Sequence, residues 1–402
     1  MKKNKIIVIV RRGPLEIEWI MPILKILYER KFEIYFYFNN ENCFNLVFTN
    51  NKIYNEIKKI AKSLYVQKKY DFLIHKIIRK IANFLNLKKL ELFFSKKIHS
   101  FQKLLNKLNI KNLKKILFVF SEYGNLTYTL ELLSKIDKQE RPLIIQYPAG
   151  PTINLDNDKR IQKTLDGKMQ RLSIFADLIF INSKEGLSYW DIYIRNNDNK
   201  IKVVGMPLFD KSFLKKKIIK KDKKKILLTL NDIEIDKLLP GEIEEFKKYL
   251  NGFFNNLKNF VGINLVLKLH PNKPLNIEKY LTQKYKYKVS KANMLDEIVD
   301  TTILITQFKT SASIYGPLYN IPTLSWPNIF KGAYSENKDP YAELGLTYEC
   351  KNFNDFIQKY KLAINQPKNL IWLNQQKMIC KHFNLKESPI QKVIFELEKI
   401  SK

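Results

Sequence analysis

Short runs of β-branched and aliphatic residues alternate along the chain with longer amphipathic stretches, and this alternation restricts the fold to parallel sheets covered by helices. A strand of a parallel sheet is buried on both faces, so it reads as a nearly continuous apolar run rather than an alternating one. Residues 6–10 form the first such run. A helix is expected over residues 14–30 and a second strand over residues 32–38. Residues 117–120, 143–146, 178–181 and 202–204 continue the sheet. A second set follows at residues 226–230, 263–269, 302–305 and 322–326. The stretch 390–402 reads as an amphipathic helix able to pack on either domain, and no internal repeat is present.

Between the two sets lies a segment dense in lysine, residues 215–225, without a strong period. Like-charged runs are usually solvated, which places the domain linker at residues 213–225. The expected architecture is therefore α/β, with two Rossmann-like open parallel-sheet domains, 1–212 and 226–402, facing a cleft. A length of 402 residues suits two domains. An apolar fraction of 45% supports a large core and argues against disorder. Ligands of open α/β sheets sit at the carboxyl ends of the strands, which here line the cleft.

The formal charge of +32 points to anionic partners: phosphorylated substrates or the acidic inner face of a membrane. Nucleic acid is set aside, because neither a paired Cys/His finger spacing nor an aromatic–Gly RNA-binding signature occurs. Residues 51–115 carry 18 Lys/Arg against three acidic residues, interleaved with apolar residues at helical spacing, so about half of the excess charge is concentrated there. This segment is read as a basic helical insertion in the first domain, packing on the sheet with a solvated face. The same face suits anionic lipid. The three cysteines are scattered without metal-ligand spacing, as expected of a reducing compartment. The opening apolar run is too short for a signal peptide or a membrane span, so the protein is expected in the cytoplasm, peripheral to the membrane at most.

The sharpest chemical signal is an apolar strand that ends in Lys268-Leu269-His270-Pro271-Asn272. Pro271 stops the strand and stiffens the turn, delivering the His270 imidazole at the carboxyl edge. There it can donate to a phosphate oxygen or act as an acid on a leaving phosphate; the plainer alternative is a strand-capping histidine. A second strand runs into the hydroxyl cluster Thr310, Ser311 and Ser313, where a helix begins. Hydroxyls and free backbone N–H groups at a helix start bind phosphate, and one of them also caps the helix. Gly205-Met206-Pro207 and Thr229-Leu230-Asn231-Asp232 each follow a strand and either line the cleft or form ordinary turns.

The order of Val204-Gly205-Met206-Pro207, Lys268-Leu269-His270-Pro271, and the hydroxyl cluster followed by Gly316 and Ile321-Pro322 resembles the GT-B glycosyltransferase superfamily. Within it, the His-Pro and Ser/Thr motifs are similar to those of bacterial sialyltransferases, polysialyltransferases and CDP-glycerol glycerophosphotransferases, which use cytidine-activated donors. The resemblance implies contacts to the donor's nucleotide and phosphate for His270, Ser311 and Ser313. It implies a nucleotide-sugar or nucleotide-polyol donor held by the second domain and a glycan or lipid-linked acceptor on the first. Arg12-Gly13-Pro14-Leu15-Glu16 and His270-Pro271-Asn272 also resemble UDP-N-acetylglucosamine 2-epimerases. The chain departs from that family after the last cleft strand, where Ser325-Trp326-Pro327-Asn328 stands in place of a Glu-Arg-Pro-Glu segment.

A transferase of this kind needs a base near the acceptor hydroxyl. Glu122 comes first and Glu16 second, with Glu18 directed away from Glu16 if that segment is extended. Glu122-Tyr123-Gly124 resembles the acidic-acidic-Gly motif of bacterial sialyltransferases, with Tyr123 in the second acidic position. Against a catalytic role stands the ordinary fate of a carboxylate, which is the solvated surface. No metal is expected, since the sequence has no Asp-x-Asp triplet and no His cluster, and no cofactor beyond the donor itself. Lys268 and Lys309 are placed to neutralise the leaving phosphate.

Overall fold

The computed structural model describes residues 4–11, 13–67, 77, 81, 113–122, 133, 136–148, 176–186, 200–214, 224–230, 241, 244, 248, 251, 255, 263–269, 288–290, 292–307, 310–326 and 339–401. The chain divides into two compact units: Met1–Phe213 together with Phe383–Lys402, and Leu214–His382.

The first unit is built on a seven-stranded sheet: β1 (Lys5–Val10), β2 (Glu33–Phe38), β3 (Ala61–Val66), β4 (Ile116–Glu122), β5 (Leu143–Tyr147), β6 (Leu178–Ile181) and β7 (Ile201–Val203). Its spatial order is β3-β2-β1-β4-β5-β6-β7, and every pairing is parallel. Helix α1 (Pro14–Glu29) follows β1, with proline at the position where a missing N–H is harmless. Helices α2 (Glu41–Thr49) and α3 (Asn51–Ile60) are capped by the side chains of Asn40 and Asn50. One face of the sheet buries Ile7, Ile9, Tyr35, Tyr37, Val119 and Ile144. On the other face Trp19 of α1 stacks on Tyr147 and Phe180, with ring centroids 5.1 and 6.1 Å apart.

The second unit holds six strands: β8 (Lys224–Thr229), β9 (Ile263–Lys268), β10 (Lys288–Ser290), β11 (Ile303–Gln307), β12 (Thr323–Trp326) and β13 (Tyr348–Glu349). They run parallel in the order β10-β9-β8-β11-β12-β13. The described helices of this unit are α4 (Met294–Ile298), α5 (Tyr315–Leu318), α6 (Pro340–Glu343), α7 (Phe353–Asn365) and α8 (Leu370–His382). Leu228, Leu267, Ile305 and Leu324 pack against Phe356 and Tyr360 of α7 and Trp372 of α8. In both sheets the order reverses beside the first strand, between β1 and β4 and between β8 and β11. At such reversals the crossover helices leave to opposite faces and open a crevice at the carboxyl ends.

The ten expected strands are all present, with ends shifted by at most two residues. Three more appear that the apolar runs did not announce: β3, β10 and β13. All three are edge strands or their equivalents at the sheet margins, short or carrying lysine, and each is defined by its pairing partner rather than by its own apolar content. The basic segment 51–115 is accordingly not wholly a helical insertion, because Ala61–Val66 adds the strand that pairs with β2; most of residues 68–112 lie outside the described set.

The linker expected at 213–225 also ends differently. Lys224 and Lys225 belong to β8, and Lys225 is not solvated: its Nζ lies 2.5 Å from Glu297 and 2.6 Å from Asp300. Two carboxylates and a backbone carbonyl compensate the burial of that ammonium, so a charge inside a lysine run was a core residue. The last helix, α9 (Pro389–Ser401), differs from the domain expected at 226–402, because it belongs to the first unit. There the Ser388 hydroxyl bonds Asp210, and Phe383 packs edge-on against Phe209 at 5.3 Å. Among the described residues no helix is long and apolar enough to cross a membrane.

Candidate functional site

Each unit gathers its chemistry at its own crevice. In the second unit, the register aligns Lys268 of β9 with Thr229 of β8, Thr229 with Thr306 of β11, and Thr306 with Ser325 of β12. Paired residues of a parallel sheet share a face, so these four side chains form a polar row one step from the carboxyl edge. The Thr229 hydroxyl donates to the Ile305 carbonyl at 3.4 Å, and the Thr306 hydroxyl to the Leu324 carbonyl at 3.3 Å. A 3-10 turn over Ser311–Ile314 then leads into α5.

The three hydroxyls singled out in the sequence are brought together there, but in different states. Thr310 caps the turn, its Oγ1 accepting from the Ala312 N–H at 3.4 Å, which leaves its own proton available. Ser311 is half-buried and has surface to offer. Ser313 is fully buried and donates to Thr306 Oγ1 at 2.9 Å, so its proton is committed to the fold. Ser313 thus pins the turn to β11, while Thr310 is itself buried and Ser311 keeps part of its surface exposed. Gly316 completes the anchoring: a Cβ there would stand 1.9 Å from Thr323 Oγ1. Ser325 buries a hydroxyl without a hydrogen-bond partner among the described residues, at the next strand of the row.

Lys268 is half-buried at the end of β9. His270, Pro271 and Lys309 lie outside the described residues. Thr229 falls in the row as the strand pattern implied. Gly205 does not fall in this unit. It sits in the first unit with φ 80°, where a Cβ would approach the Phe383 carbonyl to 2.6 Å, so its residue type is explained by close chain passage beside α9.

The first unit brings its two candidate bases to the crevice between β1 and β4. Glu122 is the last residue of β4 and only 2% exposed; Glu16, in the first turn of α1, is 0% exposed. Neither has the solvated fate of an ordinary carboxylate. The Arg11 N–H donates to Glu16 Oε2 at 2.8 Å. Glu18 is on the same helix rather than an extended segment, and is half-buried. Tyr123 and Gly124 lie outside the described residues.

Sequence reasoning missed Tyr147, which pairs with Glu122 across the β4–β5 ladder. Burial, and then the charges of Glu16 and Glu122, hold its phenol well above the ordinary tyrosine range. The Cys43 thiol is likewise pushed up to about 12 by burial and by Glu16. The only advance signal was a polar pair, Gln146-Tyr147, closing an apolar run. Among the described residues, no group of three or more His, Cys, Asp or Glu side chains is arranged to hold a metal ion.

No protein-family model matches the chain, and no curated protein matches it in sequence. Solved structures match along its whole length. The crystal structure of UDP-N-acetylglucosamine 2-epimerase aligns with TM-score 0.58 at 12% identity, covering 99% of this chain and 96% of that one. CalG4, the calicheamicin glycosyltransferase, aligns at 0.56 and 11% identity, covering 99% and 98%. The wall teichoic acid polymerase TagF soaked with CDPG aligns at 0.53 and 14%, covering 100% of this chain and 89% of that one. The fold is that of GT-B glycosyltransferases, and the 2-epimerases share it. At these identities the likeness is one of architecture.

Proposed function

We propose that the protein is a metal-independent transferase of the GT-B type, moving a sugar or polyol phosphate from a cytidine-linked donor to a cell-surface glycan acceptor. One observation carries the reading: at the crevice of the second sheet, Thr310 and Ser311 stand on a turn that Ser313 and Thr306 lock in place. Donors held in advance where phosphate charge must be bound lose little in reorganisation when a ligand arrives. Lys268 adds positive charge at the neighbouring strand end, and His270, four residues after Val266, follows that same strand. In the first unit, Glu122, with Glu16 as the alternative, takes the proton from the acceptor hydroxyl as its oxygen attacks. The overall charge of +32 and the lysine-rich stretch 51–115 suit work beside an anionic inner membrane face, in the cytoplasm.

A second reading, a UDP-N-acetylglucosamine 2-epimerase-like enzyme, draws support from the epimerase structure aligned over 99% of the chain. Thermal unfolding in the presence of CMP, CDP, UDP and GDP separates the two. A nucleotide at 100 times its Kd stabilises by about 2.7 kcal/mol, a shift of several degrees. The transferase reading expects CMP or CDP to give the largest shift. A shift by UDP alone, with turnover of UDP-N-acetylglucosamine in the absence of any acceptor, selects the epimerase. Silence from all four nucleotides at millimolar concentration refutes both.

A further inference from the structure

The first unit holds polar groups that the reaction outlined above leaves unused. Tyr147 is 0% exposed, yet its hydroxyl has no hydrogen-bond partner among the described residues. Its ring is held firmly: it stacks on Trp19, and the Trp19 indole N–H donates to Asn182 Oδ1 at 2.8 Å. Its ladder partner is Glu122, and it lies on the α1 face, the side of the sheet from which Glu16 also approaches. The preceding residue, Gln146, is also fully buried and leaves both amide atoms without partners on the opposite face. Buried donors without acceptors are rare because each forfeits the hydrogen bonds it made in water. Here two fall consecutively, at the carboxyl end of a strand next to the crevice.

We propose that the Tyr147 hydroxyl donates to an uncharged, hydroxyl-bearing ligand, a sugar or polyol, seated beside Glu122, and that this corner rejects phosphate and carboxylate groups. The inference rests on the acceptor-side reading of Glu122 and names the chemistry of what enters there. A sugar hydroxyl can accept from a phenol and donate to a carboxylate at once. A fully ionised phosphate can only accept, and would face the buried carboxylates Glu16 and Glu122 as a like charge, with little water to screen the repulsion. The contrast with the phosphate-directed hydroxyls of the second unit follows from this difference in charge.

The variant Tyr147→Phe removes one oxygen and keeps the ring on Trp19. Because that oxygen has no partner among the described residues, the melting temperature should stay the same or rise. Saturation-transfer NMR with lactose and glycerol, set against lactobionate and glycerol 3-phosphate, reads the ligand. With the phosphate site of the second unit filled by saturating CDP, the wild-type protein should transfer to the neutral compounds and not to the anionic ones, and Tyr147→Phe should bind the neutral ones about fivefold more weakly. A melting temperature lowered by more than about 3 °C would show the hydroxyl to be a structural donor, and overturns the proposal. So does equal transfer to the anionic compounds, or none to the neutral ones. CMP and CDP titrated into both proteins keep the two readings apart: unchanged nucleotide shifts beside a lost neutral-ligand signal support the assignment, whereas absent nucleotide shifts fall on the transferase reading alone.

Discussion

The two sheets share a topology and differ at their carboxyl edges. In the second unit three hydroxyls beside the crevice are met within the fold, since Ser313 donates to Thr306, Thr306 to the Leu324 carbonyl and Thr229 to the Ile305 carbonyl, and Ser325 alone of that row has no partner among the described residues. In the first unit the corresponding edge buries Gln146 and Tyr147, whose side-chain polar atoms have no partners among the described residues, next to two buried carboxylates. The closed edge is built largely from the fold's own hydrogen bonds. The open edge carries a standing penalty of about 1–3 kcal/mol for each unmet group, which ligand contacts would offset. The lesson is that one architecture carries two kinds of strand edge, set by which side chains close the strand ends.

The most severe way to break the closed edge is Gly316→Ala. Its Cβ would lie 1.9 Å from Thr323 Oγ1 and 3.2 Å from the Ile321 carbonyl, forcing α5 and the hydroxyl turn off the sheet. A loss of about 3 kcal/mol in urea unfolding is expected, with loss of any nucleotide-induced shift. Thr306→Val comes next. It keeps the shape but strands the Ser313 hydroxyl in a fully buried site, at a cost of about 2 kcal/mol. Adding Ser313→Ala to it should recover part of that loss, a non-additivity that a double-mutant cycle measures directly. Thr310→Ala removes a cap whose hydrogen bond is long, 3.4 Å, and should cost about 0.5–1 kcal/mol while weakening nucleotide binding further.

The smallest effect belongs to the open edge, and it is the sharpest test of the comparison. Gln146→Met removes two unmet polar atoms with little change of volume, so stability should change by less than about 0.5 kcal/mol or increase. A loss above about 2 kcal/mol would place Gln146 in a satisfied network and erase the contrast between the edges.

Much of the fold was legible because parallel strands bury both faces and so announce themselves as apolar runs; β6 was read to the residue. The strands that escaped notice lack that mark. Ala61–Val66 carries Lys62 and is only partly buried, and Tyr348–Glu349 spans two residues. Lys225 escaped for the opposite reason, since a lysine in a lysine run reads as solvated until Glu297 and Asp300, more than 70 residues away, are folded against it. At the site, Thr229 and the Thr310 to Ser313 cluster were readable as polar residues closing apolar strands. The division of labour among those hydroxyls was not, because it depends on which of them reaches Thr306. Gly205 shows the same limit: its residue type signalled a special position, but the reason is the Phe383 carbonyl, far along the chain.

Sequence alone determined the layered α/β class, the near-equal division into two sheets and the places where polar residues close the strands, since these follow from local periodicity and from where apolar runs stop. Tertiary structure alone decided that Glu16 and Glu122 are buried, that Ser313 is an anchor, and that the Tyr147 hydroxyl, on the residue paired with Glu122, has no hydrogen-bond partner among the described residues. Burial and hydrogen-bond partnership depend on neighbours supplied by distant strands, and local sequence does not encode how those strands pair.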